Sequence, residues 1–251
     1  MFTSQQRDHV RDLVLHWAHE DSRIVAGAVV GSLAHQPGDR WSDLDLAFAV
    51  LDGVPLSEVL DQWSDRLRKE LDAVRLFDLA HGSAIYRVFL LSGCLQFDLS
   101  FAPASQFGAI GPNFRLLFGE AVEKAAVQPP SASDLFGHAV HHAVRARICI
   151  ERARYWQAEY WISAARDNTL SLACLRRGLP AHYGRGFDDL PQDARDELSQ
   201  TMVRSLDRSE LLRALQEVVD ALLREGGRAG DLARDVEARL REFVWYSPSI
   251  L

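Results

Sequence analysis

The order of apolar and polar positions divides the chain into two stretches of different period. A helical pattern over about residues 4–20 leads to an apolar run at 24–30 (IVAGAVV). An alternating run follows at 43–50 (DLDLAFAV), the mark of a strand with one buried face. A second helical stretch covers about 56–72. Three more strand-like runs, AVRLFDLA, AIYRVFLL and CLQFDLSFA, are separated by HGS at 81–83 and SGC at 92–94, short polar and glycine-bearing segments that suit turns. This half reads as a mixed α/β unit around one sheet. Beyond about residue 125 the period changes. QPPSAS at 128–133 breaks the pattern, and helical spacing then predicts helices over about 133–153, 155–177 (stopped by Gly178 and Pro180), 191–204, 208–225 and 229–244. The expected fold class is α/β, with a mixed-sheet domain over 1–127 and a helical bundle over 128–251.

Composition adds constraints to this outline. The 251 residues are 47% hydrophobic and 25% charged, enough to bury a sizeable core. No run of eighteen apolar residues occurs, and the first twenty residues mix charge through their apolar positions, so the chain is expected to work in the cytoplasm without a membrane. Cys94, Cys149 and Cys174 are odd in number and widely spaced, which suits reduced core thiols better than disulfides or a zinc site. The formal charge of −7 favours cationic partners over polyanions, so no nucleic acid is expected as a partner. A nucleotide stays compatible with that charge, because bound divalent metal reverses the field within one cleft.

The informative segment is VVGSLAHQPGDRWSDLDLAFAV, residues 29–50. An apolar strand runs into Gly31 and Ser32, and ten residues later a second strand opens with Asp43, Leu44 and Asp45. A glycine at a strand end lets the backbone approach a ligand, and a short helix begun there aims N–H groups at phosphate. Side chains alternate along a strand, so Asp43 and Asp45 point to one face. Two carboxylates in one small space need a compensating cation, and Mg²⁺ with oxygen ligands is the natural one. In LQFDLSFA a third carboxylate, Asp98, alternates with Gln96 and Ser100 on a polar strand face, and it completes a triad if its strand lies beside that of Asp43 and Asp45. Arg40, in the spacer, is of a type that binds phosphate oxygens.

Gly31-Ser32, the spacer, Asp43-x-Asp45 and the later strand Asp98 together resemble the polymerase-β-like nucleotidyltransferase superfamily, over roughly residues 20–101. A catalytic domain followed by a helical bundle is similar to the bacterial aminoglycoside and lincosamide nucleotidyltransferases, whose first bundle helices residues 152–191 resemble. The resemblance implies a catalytic domain over 1–127 and a substrate-binding bundle over 128–251. It implies two Mg²⁺ ions, or Mn²⁺ in their place, on Asp43, Asp45 and Asp98. Gly31, Ser32 and Arg40 would meet the triphosphate of ATP or another nucleoside triphosphate. A nucleoside monophosphate, AMP being the family's commonest, would pass to a small hydroxylated and cationic acceptor of antibiotic type. Two rivals are an enzyme that modifies protein or RNA and a non-catalytic, antitoxin-like nucleotide binder.

In the second half, Tyr155, Glu159, Ile162 and Arg166 share one helical face, with Trp156, Tyr160 and Ser163 beside it. A carboxylate among aromatics suits a polar or cationic small molecule; the same spacing also suits aromatics that fill a core. Glu159 and Asp98 are the two candidates for the general base. His138, His141 and His142 form an HxxHH cluster, but adjacent histidines diverge on a helix and no further ligand completes a tetrahedral set.

Overall fold

The computed structural model describes residues 1–34, 39–125 and 128–245, apart from the side chains of residues 228, 244 and 245. The chain forms two compact units, Met1–Val127 and Gln128–Leu251.

The first unit opens with α1 (Ser4–Glu20). Thr3 and Gln6 exchange side-chain and backbone hydrogen bonds in a capping box, which satisfies two N–H groups the first turn would leave open. A six-stranded sheet follows, made of β1 (Ile24–Val30), β2 (Leu44–Val50), β3 (Val74–His81), β4 (Ala84–Leu91), β5 (Leu95–Pro103) and β6 (Phe114–Phe118), with α2 (Leu56–Leu71) between β2 and β3. The strand order is β3-β4-β5-β2-β1-β6, and β2 and β5 run parallel while every other pair is antiparallel.

The alternation read from the sequence fixes what each sheet face meets. Leu44, Leu46, Phe48 and Val50 of β2, with Leu95, Phe97, Leu99 and Phe101 of β5, are buried in one core with Val14 and Trp17 of α1 and Val59, Trp63 and Leu67 of α2. Trp63 lies 5.4 Å from both Phe48 and Phe101, between ring centroids. Truncating a side chain so placed costs about 3–5 kcal/mol. The other face is lined mainly by small residues, Ala26, Ala28, Ala49, Ala84 and Ala102, so the segment bearing Phe107 and Phe114 packs close against it.

Several expectations are refined by packing. Asp43 stands just before β2 rather than in it, and Asp72 closes α2 in the left-handed conformation at φ 51°. β6 has no counterpart among the runs picked out by pattern. It is five residues long, lies between Pro112 and Gly119, and is held by its pairing with β1. β3 is exposed along its whole length, with a bulge between Arg75 and Phe77. It is anchored instead by Arg87 of β4, which is buried and donates to both oxygens of Asp78 and to Asp61 and Ser64 of α2. That guanidinium holds the Asp78 carboxyl below the usual carboxylate range. Cys94 also departs from expectation. It is exposed, in a turn at φ 61°, whereas Cys149 and Cys174 are buried, and all three are free thiols.

The second unit consists of α3 (Ala132–Glu151), α4 (Tyr155–Arg177), α5 (Gln192–Ser199), α6 (Arg208–Glu225) and α7 (Asp231–Trp245). Ala139, Ala143 and Ala146 of α3 and Ala158 and Ala165 of α4 are fully buried, and α6 adds Leu211, Leu215, Val218 and Leu222 to the same core. Gly178 ends α4 at φ 72°, and the Leu179 N–H returns to the Cys174 carbonyl. α5 is shorter than its periodicity suggests. The Ser199 and Thr201 hydroxyls donate to the carbonyls of Asp196 and Leu198, and Arg213 donates to those of Gln200 and Met202, so the backbone is satisfied without another turn. Among the described residues, no helix is long and apolar enough to cross a membrane.

Candidate active site

β1 ends at Val30, and the chain turns through a short 3₁₀ segment, Gly31–Leu33. Gly31 adopts φ +68°, and a Cβ built there would lie 2.2 Å from Asp45 Oδ2. Only glycine meets both demands: a left-handed backbone and a carboxylate pressed against it. Ser32 is exposed on the same turn. The spacer residues 35–38 lie outside the described residues. Beyond them Asp39 and Ser42 close a tight loop, in which Ser42 Oγ donates to Asp39 Oδ1 and the Trp41 N–H donates to the same oxygen. Arg40 is exposed, its guanidinium 4.6 Å from the centroid of the Trp41 ring.

The parallel pairing of β2 with β5 sets Asp45 in register with Asp98. Both belong to the sheet face away from α1 and α2, since their neighbours in sequence, Leu44, Leu46, Phe97 and Leu99, fill the core behind. Burial pushes the Asp98 carboxyl above its usual value and the nearby charge of Asp43 pushes the same way, against a hydrogen bond donated by Gln96 at 3.0 Å. Asp45 thus lies against the Gly31 turn and beside Asp98, and the charge of Asp43 acts on Asp98. Among the described residues, no group of three or more His, Cys, Asp or Glu side chains stands ready to hold a metal ion. Carboxylate oxygens are the donor type that Mg²⁺ takes, while the Gly31 backbone is itself engaged, its N–H donating to the Asn113 carbonyl at 3.1 Å and its carbonyl accepting from the Ala34 N–H at 3.3 Å.

No family model matches the chain, and no curated protein matches it as a relative. Among solved structures it is similar to an aminoglycoside 6-adenyltransferase from Bacillus subtilis. The likeness covers 98% of this chain and 100% of that one, at 14% identity and a TM-score of 0.40. At that level it assigns nothing to this chain.

Further along the same sheet face is a cavity of about 110 Å³, lined by Ala47 and Ser100, each two residues beyond Asp45 and Asp98, and by Tyr86, Asn113 and Lys124. Burial raises the Tyr86 phenol above its ordinary value. Arg7 is a second feature that motif reading passed over. It is 2% exposed, and its Nη1 donates to the carbonyls of Asp39 (2.8 Å) and Ser42 (3.2 Å), so α1 grips the loop that delivers Asp43. A signal was present in the sequence: Arg7 occupies the stripe that continues through Val10, Val14 and Trp17, a position where a charge needs a buried partner.

Glu159 belongs to α4 in the second unit, and its Oε1 accepts a hydrogen bond from Ser163 Oγ at 2.6 Å. Ile162 beside it is buried, whereas Trp156 and Tyr160 are 78% and 61% exposed. His138 and His142 stack with centroids 6.3 Å apart, and burial lowers the proton affinity of His142, which meets Asn168 Nδ2 at 3.4 Å.

Proposed function

We propose that this protein transfers a nucleoside monophosphate from a nucleoside triphosphate, ATP in the first instance, to a hydroxyl of a small polar acceptor and releases pyrophosphate. The observation that carries this reading is the register of Asp45 with Asp98 on one sheet face, with Asp43 close enough to act on Asp98 and Asp45 lying against Gly31. Asp43, Asp45 and Asp98 would hold Mg²⁺, or Mn²⁺ in its place. When bound, such an ion neutralises phosphate charge and eases loss of the acceptor's proton.

The chain's own residues would divide the remaining work. On the turn at Gly31 and Ser32, the Ser32 hydroxyl would donate to the β- and γ-phosphates, since the Gly31 N–H is already given to the Asn113 carbonyl. Asp98, whose proton affinity is raised by burial and by Asp43, is suited to receive the acceptor's proton. As the bond from the acceptor oxygen to the α-phosphorus forms, the bond from that phosphorus to the bridging oxygen breaks, and pyrophosphate leaves with the electron pair.

The test is calorimetry of the full chain with ATP, in Mg²⁺ and in chelator. Affinity should fall at least about tenfold in chelator, because close like charges repel by about 1–4 kcal/mol per pair. Asp45→Asn should abolish the metal effect while the thermal melt is retained. Equal affinity in metal and chelator would overturn the reading.

A further inference from the structure

We infer that the cavity on the sheet face of the first unit is a binding site for a small monocarboxylate with a compact apolar body, such as a single aromatic ring. The cavity measures about 110 Å³, and its lining comes from β2, β4 and β5 and from the chain that follows β5. An apolar cavity of roughly 150 Å³ accepts a benzene ring. This one is sized for one small ring and not for a whole nucleotide.

Strand pairing builds the floor. Tyr86 of β4, Ser100 of β5 and Ala47 of β2 stand in register across three strands, with Ala84 and Ala102 beside them. The alanines stop at Cβ and so leave the space open, while Phe107, 3% exposed, and Phe114 wall it with rings 5.7 Å apart. Ser100 is 4% exposed, and its hydroxyl reaches the Leu46 carbonyl only at 3.5 Å, beyond the roughly 2.5–3.0 Å of a normal O–H···O bond. A buried hydroxyl so weakly held has capacity for a ligand.

The rim supplies donors. Lys124 is partly buried and makes no hydrogen bond or ion pair among the described residues. Its place is fixed from upstream, where the Val122 N–H donates to the Phe107 carbonyl at 2.7 Å and Gly108 leaves the room that the Val122 carbonyl takes. The side chains of Tyr86 and Asn113 likewise have no partner among the described residues. Burial raises the pKa of the Tyr86 phenol, which keeps its proton and remains a donor at neutral pH. No Asp, Glu or His lines the cavity.

An ammonium, a phenol and an amide around an apolar floor suit a carboxylate carried on a ring. The carboxylate takes charge-assisted bonds at the rim, and the ring lies over the alanines between the phenylalanines. A cation would meet Lys124 with no acid in the lining to offset it. A neutral ring would fill the floor and forgo the charge-assisted bond. Asp45 and Asp98 lie two residues, about 7 Å, back along their strands, so they repel the anion at a distance while Lys124 acts in contact. This binding does not rest on nucleotidyl transfer.

The experiment is calorimetry of the full chain without nucleotide or divalent metal, with benzoate as probe and benzamide and acetate as comparators. Benzoate should bind; benzamide, lacking the charge, and acetate, lacking the ring, should each bind at least about tenfold more weakly. Lys124→Gln should weaken benzoate about tenfold and bring it level with benzamide, and Tyr86→Phe should weaken it about threefold, with thermal melts near wild type. Lys69→Gln, at the chain's other lysine, exposed on α2 against the opposite sheet face, should leave the affinity within about twofold. Asp98→Asn should tighten benzoate, since it removes a repelling charge and no contact. Benzoate that fails to bind at about 10 mM, equal affinity for either comparator, an unchanged Lys124→Gln or a weakened Asp98→Asn would overturn the proposal. If ATP binding proves indifferent to metal while benzoate still binds, the transfer reading alone falls.

Discussion

Replacing Gly31 with alanine tests whether the approach of backbone to carboxylate matters to function. Two costs can be worked out. Alanine at φ +68° costs about 1–2 kcal/mol, because the Cβ crowds the following carbonyl. The same Cβ would fall 2.2 Å from Asp45 Oδ2, where ordinary contact begins at 3.4 Å, so the carboxylate must shift by about 1 Å. A misplacement of that size costs roughly a hundredfold in rate. Gly53 offers a matched control, since it holds φ +86° with nothing within 4 Å of a built Cβ. Gly53→Ala should bear the backbone cost alone. Both variants should melt a few degrees below wild type, as about 1–2 kcal/mol implies in units of this size. Only Gly31→Ala should lose metal-dependent ATP affinity by calorimetry, and pyrophosphate release by roughly a hundredfold. If Gly31→Ala matched Gly53→Ala in both assays, the contact between Gly31 and Asp45 would be packing without consequence for the site.

Arg7→Met removes the donor from the carbonyls of Asp39 and Ser42. Stability should fall by about 2–4 kcal/mol and Mg·ATP affinity by about tenfold; a lower melting temperature with unchanged ATP affinity would show that Arg7 supports the fold but does not position Asp43. Asp21 accepts hydrogen bonds from Arg23 and Trp63, and the Arg23 bond above all lowers its pKa from 3.8 to about 2, against the opposing effect of burial. A depressed carboxylate stabilises the fold above its unfolded value and loses that contribution as pH falls toward the folded one. Asp21→Asn should therefore cost about 2 kcal/mol at neutral pH, with the difference from wild type vanishing between about pH 4 and 2 in denaturant melts. Trp63→Ala should cost about 3–5 kcal/mol in the first unit, read as the midpoint of denaturant unfolding; a loss under about 1 kcal/mol would contradict its central place between Phe48 and Phe101.

Local periodicity and spacing carried much of this protein in the sequence itself. Leu44, Leu46, Phe48 and Val50 declare a buried strand face at every second residue, and the helices of the second half declare themselves through stripes such as Leu211, Leu215, Val218 and Leu222. The pair Asp43 and Asp45 is equally visible in the sequence, although β2 begins only at Leu44, so strand alternation governs Asp45 and not Asp43. Three other features needed the tertiary fold. That Asp98 stands beside Asp45 depends on β5 pairing in parallel with β2 across more than forty residues of chain, a register that local pattern does not encode. β6 exists because β1 has an edge to pair, and its own five residues show no period. The cavity on the sheet face is made by three strands and the chain after β5, so its polar lining, Tyr86, Ser100, Asn113 and Lys124, is spread over residues that form no motif in order. Periodicity records which side of an element meets water, because burial acts residue by residue. Which elements meet each other is decided by non-local pairing and packing, and the site is a product of that second step.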